Sequence, residues 1–289
     1  RDCLLSRGLG DVYKRQLMNV VSINGMRGCH ISVTKANNFL VVSGYHDGKI
    51  TVMHINADGS VGSIADEVFH KGMGSIAERN FRPHVSNTCF TPDEELLCAC
   101  DLGIDQIKLY EFNHRTGKLK LFDIIRSQQE SAPRKMIFSE DGKYAYVVCE
   151  LKNYINVYSY DKDSDKARFE MIQNIFTVRR DHKSNSAASD IIFANNGSNL
   201  ICSNAGDNTA TIYSVDKKSG KIVTLNSLPV SGDYPKYVCL FPDNKHLMSM
   251  NNEGSSITIF TVDYKKGLIV MNGKEIKISR PNNMVIKKL

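Results

Sequence analysis

Polar and ionisable side chains recur at two kinds of place in this sequence. His30, His84, Arg134, Asp190 and Lys236 stand near the starts of short apolar segments, and Asp101, Glu150, Asn204 and Asn251 stand where a second such segment ends. Histidine and glutamate are the side chains best suited to proton transfer near neutral pH, and arginine and lysine are fixed cations for an anionic group. Other chemistries are poorly provided for. No GxSxG elbow and no Ser/His/Asp order appears, which disfavours a covalent serine route. No spacing of His, Asp and Glu asks for a metal, and His46 and Asp47 in SGYHDG read as a turn. The eight cysteines lie in apolar segments without a CxxC pair or a histidine at zinc-finger spacing, and read as reduced core residues. A water-filled channel also needs a polar lining, so any one of these ionisable groups is equally readable as facing solvent.

The elements that must position these residues form a repeat. The clearest copy, APRKMIFSEDGKYAYVVCELKNYINVYSY, holds an apolar strand, the turn SEDGKY, a second strand YAYVVC, a polar corner and a third strand INVYSY with two-residue alternation. A weaker fourth strand follows around Phe169 to Ile175. The turns TKANNF, TPDEEL, ANNGSN and FPDNKH mark the other copies, with Asn, Asp, Gly and Pro supplying the backbone angles of tight reversals. With the second-strand exit as anchor, the equivalents are Gly44, Asp101, Glu150, Asn204 and Asn251, spaced by 57, 49, 54 and 47 residues. Four short antiparallel strands every ~50 residues predict an all-β fold built of propeller blades, because one small sheet cannot bury both faces until neighbours stack on it. The two-residue period excludes helical solenoids, and a sandwich or jelly roll does not repeat a four-strand unit at near-constant spacing. Tryptophan is absent, so the Trp-Asp signature of WD-repeat propellers is missing.

Bulk properties narrow the function classes. A 289-residue chain with 42% hydrophobic content has ample material for a core, and no apolar run approaches the ~18 residues of a membrane span. The formal charge of +6 is too mild, and the basic stretches too short, for a nucleic-acid groove. Residues 1–16 share nothing with the repeat and read as a scar outside the native fold, which leaves 17–289 as one domain.

Four segments carry a resemblance: GCHISVTKANNFLVVSGYHDGKITV, RPHVSNTCFTPDEELLCACDLGIDQIKLYEF, APRKMIFSEDGKYAYVVCELKNYINVYSY and GDYPKYVCLFPDNKHLMSMNNEGSSITIF. Over residues 17–289 the chain resembles the lactonase family of seven-bladed β-propellers. The resemblance implies blades beyond those present: five anchors and a terminal strand PNNMVIKKL correspond to about five to six blades of an N-terminally incomplete ring, with a gap expected beside that strand.

It also implies a site and a reaction. His84 in RPHVS, Arg134 in APRKM and Glu150 in VCEL match the His, Arg and Glu that relatives present in their site. Opening a lactone needs a water activated by a base, for which Glu150 and His84 are both candidates, and a donor for the oxyanion, for which Arg134 is suited. Substrate contacts are expected from His30, Asp101, Asn204, Asn251 and Lys236, and from Arg179 and Arg180 in the loop FTVRRDHKSNSAAS. That loop or Lys236 would replace the Arg that many relatives carry where this chain has Ala205, and Gly44 stands where relatives often have Asn. The expected activity is hydrolysis of 6-phosphoglucono-1,5-lactone to 6-phosphogluconate in the cytoplasm, without a cofactor, a metal, a membrane or nucleic acid, the oligomeric state being open. Two alternatives stand beside it: another lactone substrate, or a propeller that binds a ligand or protein without turnover.

Overall fold

The computed structural model describes residues 16–75, 80–164, 168–179 and 185–286, and shows no helix among them. Most of the segment set aside as a scar therefore lies outside the described residues. The rest is arranged as five antiparallel sheets in chain order. The first holds β1 (Gly28–Val33), β2 (Phe39–Gly44), β3 (Lys49–Ile55) and β4 (Val61–Phe69). The second holds β5 (Val85–Phe90), β6 (Leu96–Asp101), β7 (Gln106–Phe112) and β8 (Leu119–Arg126). The third holds β9 (Pro133–Phe138), β10 (Tyr144–Cys149), β11 (Tyr154–Tyr160) and β12 (Phe169–Phe176). In the fourth are β13 (Ala187–Phe193), β14 (Asn199–Ala205), β15 (Thr209–Val215) and β16 (Ile222–Pro229). The fifth has β17 (Pro235–Leu240), β18 (His246–Asn251), β19 (Ser256–Asp263) and an outer position shared by β20 (Leu268–Met271) and β21 (Ile276–Lys277), both paired to β19.

The cores lie between the sheets. Strand β10 shows why: Ala145, Val147 and Cys149 pack with Leu96, Cys98 and Leu109 of the second blade, while Tyr146 and Val148 pack with Ile191, Leu200 and Tyr213 of the fourth. Alternation thus serves two interfaces, and a strand buried on both faces reads as one apolar run. Further clusters join blades one to two and four to five. The innermost strands β1, β5, β9, β13 and β17 pack one against the next, so the blades follow an arc around a channel. Outer strands such as β8 and β12 are largely exposed.

Turn chemistry holds as read. The fourth residue of each tight turn has positive φ: Asn37, Glu94, Gly142, Gly197 and Asn244. Asn and Gly suit that conformation, and Glu94 alone carries an ordinary side chain there.

The C-terminal segment departs from expectation. Residues 281–286 of PNNMVIKKL form no strand, and Met284 packs against the apolar cluster of Met248, Met250 and Ile257 on the fifth blade. No helix among the described residues is long and apolar enough to cross a membrane.

Candidate active site at the channel mouth

Each innermost strand carries a β-bulge near its start. Pairing skips one residue between Gly28 and His30, Val85 and Asn87, Pro133 and Lys135, Ala188 and Asp190, and Pro235 and Tyr237. The bulged residues are therefore Cys29, Ser86, Arg134, Ser189 and Lys236. A bulge breaks the alternation of faces, so two successive residues can serve the channel and its rim. Arg134 and Lys135 do so together, each with a carboxylate partner.

Arg134 donates from Nη1 to Glu150 and from Nε to the Ser189 carbonyl at 2.7 Å. Burial works against its charge, but Glu150 and then Asp190 outweigh that and hold the guanidinium protonated. Its side chain is 23% exposed while that of Glu150 is 2% exposed, so the cation faces the mouth and the anion lies beneath it. A guanidinium carries five N–H donors, more than the bonds to Glu150 and Ser189 use. Glu150 owes its place to register. Cys149 pairs with Pro133 as Asp101 pairs with Val85 and Asn204 with Ala188. The repeat anchor of the third blade is therefore Cys149, and Glu150 lies one residue further on, where a one-residue step turns the side chain out of the core.

Just below, Lys135 Nζ binds Asp190 Oδ1 at 2.6 Å and lies 5.3 Å from the Tyr237 ring centroid. Asp190 Oδ2 accepts the Val238 amide, and Asn87 Oδ1 accepts that of Met136, so this level is stitched from blade to blade. His30 shares the level, with Nε2 at 3.1 Å from Asn87 Nδ2. Burial first, then the charge of Lys135, pushes its pKa down to about 4, so His30 is neutral.

His84 precedes β5 on the loop between the first two blades. Its Nδ1 lies 2.7 Å from the Tyr45 carbonyl, and its ring stacks on that of Tyr45 at 4.3 Å. A carbonyl only accepts, so Nδ1 carries a hydrogen, and the tautomer this selects leaves the lone pair on Nε2. Beneath it, Asp101 Oδ1 accepts the His84 amide at 2.7 Å, and Oδ2 accepts from His70, whose Nε2 meets the Tyr110 hydroxyl at 3.0 Å. Burial lowers the His70 pKa although Asp101 opposes it. The thiol of the bulged Cys29 lies 3.4 Å from the Ser43 and Val85 carbonyls.

The structure therefore holds Arg134 and Glu150 in direct contact, while His84, on the loop before β5, contacts Tyr45, Phe81 and Asp101. It places the corner residues differently from the expectation of a ligand-facing ring. Asp101, Asn204 and Asn251 are fully buried. Asn204 Nδ2 binds the Thr177 carbonyl and Thr211, and Asn251 binds Ser249, Ser256 and Thr258. They end a strand one removed from the channel; Asp101 and Asn204 tie an incoming loop to their blade, and the partners of Asn251 lie within the fifth blade. Lys236 is half-buried and donates to Asn282 Oδ1 at 2.9 Å. Arg179 is exposed, and Arg180 lies outside the described residues. Sequence reasoning missed Lys135, Tyr45 and His70; the first is hidden by the bulge, the others by partners distant in the chain. Among the described residues no group of three or more His, Cys, Asp or Glu is placed to hold a metal ion, and seven of the eight cysteines, those among the described residues, are free thiols.

Stacked four-stranded blades with a charged mouth define a β-propeller. The chain belongs to the lactonase family of seven-bladed β-propellers, whose pattern it matches over residues 10–286. It is 29% identical over 264 residues to a 6-phosphogluconolactonase of Bacillus subtilis strain 168, covering 91% of this chain and 74% of that protein. Among solved structures, a Lactobacillus plantarum protein superposes with a TM-score of 0.81 at 26% identity, over 88% of this chain and 72% of the other. A periplasmic gluconolactonase of Pseudomonas aeruginosa also reaches 0.81, at 22% identity over 88% and 71%, and shows a shared fold.

Proposed function

We propose that this chain hydrolyses a sugar lactone, with 6-phosphoglucono-1,5-lactone, cleaved to 6-phosphogluconate in the pentose phosphate pathway of the cytoplasm, as the favoured substrate. The carrying observation is the Arg134–Glu150 pair, held at a bulge with the cation toward the mouth. Water attacks the lactone carbonyl as a base removes its proton; Arg134 stabilises the oxyanion; collapse expels the ring oxygen, which takes up a proton to leave the open acid. The tautomer of His84 supports its Nε2 as the base, with Glu150 orienting Arg134 as its permanent counter-ion. The similarity to the Bacillus subtilis enzyme supports the phosphorylated substrate.

The test is coupled hydrolysis of 6-phosphoglucono-1,5-lactone, corrected for its spontaneous reaction. Arg134→Met is expected to lower kcat by about 100- to 1,000-fold and His84→Gln by about 100- to 10,000-fold. Each single change at Arg134 or Glu150 also strands a partly buried charge, so Arg134→Met/Glu150→Gln serves as control: it should recover stability but not rate. Near-parental rates in these variants refute the assigned roles, and a parent no faster than the spontaneous reaction refutes the activity.

A further inference from the structure

The described residues just before β5, in the connection between the first two blades, are firmly seated. Asn80 is fully buried, donating from Nδ2 to the Leu102 carbonyl at 2.6 Å and accepting the Ser75 amide at 3.2 Å. Gly74 and Gly103 permit this packing: a Cβ on Gly74 would meet the Gly103 carbonyl oxygen at 2.2 Å, and one on Gly103 the Arg82 carbonyl oxygen at 1.7 Å. Yet Phe81, next to the buried Asn80, is 52% exposed, with its ring edge-on to His84 at 5.9 Å and the Arg82 guanidinium 5.7 Å from its centroid. Residues 80–84 thus present an aromatic face and a cation beside a candidate base, which has the form of a recognition surface: an aromatic face receives the C–H side of a ring, and a guanidinium an anionic substituent.

We propose that Phe81 and Arg82 form a specificity element at the rim, Phe81 reading the apolar face of a sugar ring and Arg82 its anionic substituent. The inference rests on the lactone reading and extends it to two residues that touch substrate away from the reacting carbonyl. Being uniform binding, their contribution belongs in KM and not in kcat.

The experiment compares Phe81→Ala, Phe81→Tyr and Arg82→Met on 6-phosphoglucono-1,5-lactone and on glucono-1,5-lactone, with thermal melts as the folding control. Phe81→Ala should raise KM for both lactones by about 3- to 10-fold, Phe81→Tyr should restore it, and Arg82→Met should raise KM by a similar factor for the phosphorylated lactone alone. Unchanged KM values in folded variants overturn the proposal. Binding of glucose 6-phosphate, a ring that cannot be hydrolysed, separates this from the activity itself. Weakened binding in both Phe81→Ala and Arg82→Met supports the rim element even where the parent shows no turnover, and unchanged binding overturns it.

Discussion

Arg134 and Lys135 are neighbours in sequence that both keep a carboxylate partner, and the level they share makes His30 a stability reporter. His30 is neutral in the fold, with its pKa lowered to about 4 from 6.5 by burial and then by Lys135. The unfolded chain binds a proton below about pH 6.5, so between that pH and 4 it holds more protons than the native state. Stability is therefore full above 6.5 and falls as pH drops through this window. Urea titrations should show this histidine costing about 2 kcal/mol at pH 5, and about 3 kcal/mol when the window is crossed. His30→Asn should flatten that dependence; an unchanged slope between pH 7 and pH 5 would remove the assignment.

At the scale of elements, the bulge and the inter-blade loop decide where the chemistry sits. Gly103 follows the β6 corner, and a Cβ there would also meet His84 Cδ2 at 2.8 Å. Gly103→Ala must push the loop off its seat, because the nearer obstruction is a backbone oxygen and not the end of a flexible side chain. The expected cost is about 1–3 kcal/mol of stability, with a fall in lactone turnover because His84 moves with the loop. A melt and a rate measured together check this, and a variant with parental values of both would show the loop to be freer than its packing implies.

The whole molecule is an arc of blades whose cohesion comes from apolar faces meeting between sheets. On the innermost strand of the first blade, Ile31 is 60% and Val33 42% exposed, on the face turned from the second blade. Exposed apolar side chains close together on one strand face favour self-association. Replacing both with threonine, which keeps the β-branched shape, should lower concentration-dependent light scattering while leaving the melting temperature nearly unchanged. Equal scattering by parent and variant would place the sticky surface elsewhere.

Much was legible from residues alone. Turns with Asn or Gly at the fourth position, second strands apolar throughout and a repeat near 50 residues are local or periodic signals, and they determine blades because a single sheet with two apolar faces must stack. Arg134 and Glu150 were legible as candidates, and their contact followed. The bulges were not legible, since a skipped residue is defined only by what lies opposite it: the alternation of β9 alone puts Arg134 and Lys135 on opposite faces, and only pairing with β10 puts both to use. For the same reason the sequence spacing points to Glu150 as the repeat anchor, a position that pairing assigns to Cys149. Asp101 read as a ligand because an acid at a corner looks exposed in sequence. Tertiary structure buries it, because His70, 31 residues away, and the His84 amide arrive to occupy both its oxygens. The spacing of residues along the chain determined which side chains reach the channel end; only the closing of loops between blades decided which of them face solvent and which hold the blades together.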